Sequence, residues 1–87
     1  MVLFSCTGKD NNMPTINMTA TGKNIHNMIK AKKMTIAYVQ DVFGFNTPQA
    51  IYKWFRGDAL PTIDNLVILA NILETTVDGI IVVNAAD

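Results

Sequence analysis

From Thr21 onward, apolar and polar residues alternate with helical spacing. Ile25, Met28, Ile29 and Lys32 fall at i, i+3, i+4 and i+7, with the Lys32 stem covering the edge of the stripe. Thr21 is a capping residue ahead of this stripe, and Lys30, Lys32 and Lys33 suit the negative end of a helix dipole. A first helix is therefore predicted over about 22–33. Thr35 caps a second, whose inner face carries Ile36, Val39, Val42 and Phe43 and which Gly44 stops in the left-handed region. Asn46-Thr47-Pro48-Gln49 is the clearest helix start in the chain. Thr47 caps, and Pro48 takes the first helical position, where its missing N–H costs nothing. Ile51, Trp54 and Phe55 come next at helical spacing as core residues, and Gly57 ends this third helix, 48–56.

Pro61 and Thr62 open a fourth helix, with Asp64 in its first turn. Its apolar set is Ile63, Leu66, Val67, Leu69, Ala70, Ile72 and Leu73, which surrounds the axis and predicts a central core helix. Thr75-x-x-Asp78 resembles a capping box for a last short helix, Val77 to about Val82. Gly79 and the β-branched run Ile80-Ile81-Val82-Val83 suit a strand instead. Five short helices with brief connections predict a compact all-α bundle.

Residues 1–20 lack this periodicity. Lys9-Asp10-Asn11-Asn12 reads as a turn, and Pro14 interrupts regular structure after it. Leu3-Phe4-Ser5-Cys6 faintly resembles a lipoprotein cleavage site, without the basic start and apolar stretch that such a site requires. The expected organisation is an N-terminal extension at 1–20, a folded domain at 21–83 and a tail at 84–87. With 87 residues, 49% of them apolar, there is room for one core. So small a domain buries roughly 60% of its unfolded surface, which favours help from a partner or a second copy.

Charge changes the picture more than composition does. The formal net charge is zero, yet from Lys23 to Arg56 six bases (Lys23, Lys30, Lys32, Lys33, Lys53, Arg56) face a single acid, Asp41. From Gly57 on there are five acids (Asp58, Asp64, Glu74, Asp78, Asp87) and no base. One part of the domain can meet a polyanion that the other would repel. The single cysteine, Cys6, excludes an internal disulfide and a cysteine-based zinc finger. His26 has no second ligand of its kind nearby, so no metal is expected. No nucleophile elbow, phosphate loop or paired catalytic acids are present, and neither an enzyme nor a cofactor is expected. No apolar run reaches the ~18 residues of a membrane span, and a cytoplasmic location is the expectation.

The second and third helices are joined by Gly44-Phe45-Asn46-Thr47, a glycine-containing turn between two helices with apolar inner stripes. This is the arithmetic of a helix-turn-helix, in which the first helix braces and the second is presented outward. Over about 21–83 the sequence resembles the Cro/C1-type (XRE-like) helix-turn-helix family of bacterial and phage transcriptional regulators. The resemblance rests on Thr35, Gly44-Phe45, Ile51-x-x-Trp54-x-x-Gly57 and Leu60-Pro61-Thr62-x-x-x-Leu66-x-x-Leu69-Ala70. Two departures bear on the angle at which the third helix docks. Gln40 stands in mid-helix where the family usually has a small residue, and the stretch from the turn to Trp54 is one residue longer, with Pro48 in it.

The resemblance implies a lambda-repressor-like domain that binds double-stranded DNA as a homodimer, with helix 48–56 in the major groove. The residues then take roles by position. Gln49 and Lys53 lie one turn apart on the outer face of that helix, where Gln bonds adenine and Lys reaches guanine. Ala50 is placed to touch a thymine methyl. Arg56 and Tyr52 are phosphate contacts, as are Thr47 and Thr35 at helix starts and Lys23 on the first helix. Two of these have another use: Gln49 can close a cap with Asn46, and Tyr52 can pack over a neighbouring helix. No small-molecule effector is expected. The alternative function is a protein-interaction module on the same fold, such as an antitoxin, docking its partner through the apolar C-terminal segment around Ile80 and Ile81.

Overall fold

The computed structural model describes residues 15–84. Five helices form the body: α1 (Met18–Ala31), α2 (Ile36–Phe43), α3 (Gln49–Arg56), α4 (Ile63–Ile72) and α5 (Val77–Ile80). A two-residue strand at each end, β1 (Thr15–Ile16) and β2 (Val83–Asn84), pairs antiparallel, Thr15 opposite Asn84 and Ile16 opposite Val83. The core is Ile25 and Ile29 of α1, Val39 of α2, Ile51 and Trp54 of α3, Leu66, Leu69 and Ala70 of α4, with Leu73 and Ile80.

Helix α1 begins earlier than its spacing suggests. Its cap is Asn17, whose side-chain oxygen accepts from the Ala20 N–H at 2.9 Å, not Thr21. Thr21 is wholly buried one turn inside the helix. Its hydroxyl accepts from the Val82 N–H at 2.9 Å and faces the Val82 carbonyl at 3.3 Å, completing the hydrogen bonding of an extended segment. The Asn17 N–H also donates to the Val82 carbonyl, and Asn24 donates to the carbonyls of Gly79 and Ile80, both at 3.0 Å. These polar side chains strap the end of the domain across α1. The ambiguous run 80–83 divides accordingly. It ends a one-turn helix capped by Thr76, rather than Thr75, and then runs extended into β2.

Two apolar expectations are corrected. Leu66, Leu69, Ala70 and Leu73 face the core at i, i+3, i+4 and i+7, but Ile63 is 79% exposed and Val67 56%. A bundle of short helices covers only one side of α4, so the opposite side stays in solvent. Val42 likewise sits at the surface, leaving Val39 as the buried residue of α2.

Four helices end the same way, with a residue in the left-handed region just beyond them: Lys33 (φ 59°), Gly44 (φ 70°), Gly57 (φ 80°) and Glu74 (φ 57°). At each, two backbone N–H groups turn back to carbonyls of the last turn, as from Phe45 to Gln40 at 3.1 Å and from Asp58 to Lys53 at 3.0 Å. The glycines announce two of these stops; Lys33 and Glu74 adopt the same conformation without that signal. Lys32 and Glu74, beside two of these turns, form an ion pair of 2.7 Å that joins the end of α1 to the α4–α5 connection.

Candidate nucleic-acid interface

Helix α3 is set by α1. A methyl group on Gly22 would collide with the Trp54 carbonyl oxygen and lie 2.8 Å from that of Phe55. Only a residue without Cβ allows the two backbones this close. Gly57 meets Thr19 in the same way, its missing Cβ falling 2.8 Å from the Thr19 Cα. The ring of His26 stacks on Phe55 with centroids 4.3 Å apart. The C-terminal half of α3 is therefore clamped to α1, with Ile51 and Trp54 turned into the core.

The N-terminal half is held differently. Pro48 rather than Thr47 stands at the cap position, and no side chain bonds the free N–H groups there. The Pro48 carbonyl accepts from Tyr52 N–H at 3.1 Å and starts the ladder, leaving Thr47 one residue too early to cap. Gln49 makes no cap with Asn46. Ahead of it, Phe43, Phe45 and Trp54 form an aromatic cluster with centroids 5.4–5.9 Å apart. The Gln40 side-chain amide donates to the Phe45 carbonyl at 3.1 Å.

What this leaves in solvent is one stripe. Gln49, Tyr52, Lys53 and Arg56 fall at i, i+3, i+4 and i+7, are all exposed, and line one shallow surface hollow. Four of the eight expected contact residues thus come together. Ala50 is half-buried beside them, and Thr47 is exposed in the preceding turn. Thr35 lies apart, in a second hollow with Lys33, Met34 and Tyr38. Its hydroxyl caps α2 by accepting from Tyr38 N–H at 3.0 Å, which leaves its own O–H and the free backbone N–H groups of the helix start as donors for an anion. Lys23 is exposed on α1, next in the chain to the Gly22 contact with α3. Tyr52 packs edge-on against Phe55 at 6.2 Å while keeping a face in solvent.

Sequence reasoning missed Asp58. Its carboxylate accepts from Arg56 Nε at 2.8 Å, with both side chains more than half exposed. The left-handed Gly57 folds the chain back and brings the two together. The pair is water-screened and weak, and it leaves the two terminal guanidinium nitrogens for another acceptor. Opposite charges flanking a helix-ending glycine are the signal that could have found it. Lys33 was missed as a neighbour of Thr35, although its place just before a helix start pointed there.

Among the described residues, no helix is long and apolar enough to cross a membrane. A family model described as helix-turn-helix matches residues 25–80, well over half of the chain. Neither a curated protein nor a solved structure gives a match. With a glycine-turned helix pair, a clamped and outward-facing α3 and this match, the chain belongs to the Cro/C1-type (XRE-like) helix-turn-helix family of DNA-binding transcription regulators.

Proposed function

We propose that this regulator is a sequence-specific repressor that works as a homodimer, with α3 in the major groove. The observation that carries this reading is the exposed stripe Gln49, Tyr52, Lys53 and Arg56 on a helix whose other face is core. In it, Gln49, Ala50 and Lys53 read base edges, since Gln and Lys match the acceptors and donors of adenine and guanine. Tyr52, Arg56, Thr47, Thr35 and Lys23 hold phosphates and set register. An eight-residue helix is about 12 Å long, enough for a few base pairs, so two copies on half-sites ~34 Å apart supply the remaining specificity. The uncovered Ile63 and Val67 of α4 support a second copy. Repression comes from occlusion of a promoter, and control from abundance, a partner or proteolysis.

The same α4 face favours one further reading, a module that docks a different protein. Ile80 is wholly buried, so α4 rather than the C-terminal segment carries that reading.

Anisotropy of a labelled duplex from the gene's own upstream region, against a scrambled duplex at ~50 and ~200 mM salt, tests the proposal. A preference of about 10³ or more that survives salt is expected. Equal binding to both duplexes that vanishes with salt would overturn sequence readout.

A further inference from the structure

We infer that Gln40 is a positioning residue that fixes the reading end of α3, an inference that rests on the DNA-binding reading. The two ends of α3 are held by different means. Its C-terminal half is locked to α1 by backbone contact at Gly22 and Gly57. Its N-terminal end has no side-chain cap and hangs on the turn 45–48. Besides the stacking of Phe45 on Phe43, that turn is hydrogen-bonded to α2 through one residue. The Phe45 N–H donates to the Gln40 carbonyl at 3.1 Å, and the Gln40 side-chain amide donates to the Phe45 carbonyl at 3.1 Å. This reciprocal clasp closes Phe45 against Phe43 and Trp54. A small side chain at position 40 leaves the Phe45 carbonyl without this donor. The clasp thereby sets where Gln49 and Ala50 meet the groove. Lys53 and Arg56 adjoin the α1 clamp at Trp54, Phe55 and Gly57 and are less sensitive to the clasp.

Gln40→Met keeps the side-chain length and removes the donor. Gln40→Glu places a carboxylate against the carbonyl at pH 7 and restores a donor when protonated below about pH 4. Residual dipolar couplings of the free protein report helix orientation without DNA. In Gln40→Met, couplings of α1, α2 and α4 are expected to match wild type while those of residues 46–50 shift. In Gln40→Glu the same shift is expected at pH 7 and should reverse on acidification. On duplexes varied one base pair at a time, Gln40→Met should lose about tenfold in preference where Gln49 and Ala50 read, with the salt slope unchanged. Couplings that superimpose on wild type in both variants would overturn the clasp. Shifted couplings with an unchanged base preference would overturn its role in readout. A wild-type protein with no duplex preference would sink the DNA reading instead, and the couplings would still decide the clasp.

Discussion

Lys53 and Arg56 share one hollow but differ in what they can recognise. Lys53 sits a turn from Gln49 on the stripe, where, in the proposed complex, its ammonium meets base edges. Arg56 ends the helix and already has one partner, Asp58. Lys53→Ala should therefore cost ~1–3 kcal/mol of discrimination at one base pair, with little effect elsewhere in the site. Arg56→Ala should weaken binding to every duplex alike and lower the salt slope by about one. Titrations on a point-substituted duplex series at several salt concentrations separate the two effects. If both variants bind the whole series as wild type does, the assigned face is wrong.

Between elements, the α1–α3 contact fixes where the stripe points. A methyl at Gly22 must displace carbonyls of α3 rather than a flexible side chain, so the helices part. Gly22→Ala is expected to destabilise the fold by roughly 3 kcal/mol, at the upper end of overpacking costs. Thermal unfolding measures this, and a midpoint within a degree or two of wild type would show that the helices are not so closely packed. The ion pair between α1 and the α4–α5 turn makes a smaller, pH-dependent contribution. The hydrogen bond from Lys32, and then its charge, hold the Glu74 carboxyl below its usual value of 4.5. A depressed carboxyl stabilises the fold above its unfolded value, and the contribution is lost as pH falls through the folded one. Glu74→Gln should thus lower the urea midpoint slightly at pH 7 and match wild type in strong acid. A gap that persists or widens in acid would contradict the assignment.

Taken as a body, the domain leaves one side of α4 uncovered, and in the proposed homodimer that side is where copies meet. Ile63 and Val67 are exposed while their neighbours Leu66 and Leu69 are buried. Ile63→Asp with Val67→Asp should leave the fold intact and reduce self-association. Sedimentation equilibrium is expected to show a concentration-dependent dimer in wild type and a monomer in the double variant. A dimer that survives both changes would place the interface elsewhere. Polarity has a part here too: all the acids of the described second half lie after α3, from Asp58 on, and the bases lie at or before its end.

The helices and their stops were legible in the amino-acid order wherever local rules suffice. Gly44 and Gly57 mark left-handed ends, the 3.6-residue stripe places Ile51 and Trp54 inside, and the remaining face of the same helix is then the one presented outward. Much of the candidate interface could be read for that reason: its members are neighbours on one helix. Features that depend on distant partners had to wait for the folded chain. Asn17 rather than Thr21 starts α1 because Thr21 is needed to satisfy Val82, 61 residues away. The chain from Thr15 is ordered through pairing with Val83 and Asn84, which no local pattern announces. The apolar circumference of α4 gave no sign of which side would be covered, since burial is settled by neighbouring helices. Gln40 stands out in the sequence as a departure from the family pattern, but its partner emerges only when the fold brings the Phe45 carbonyl within reach of its amide.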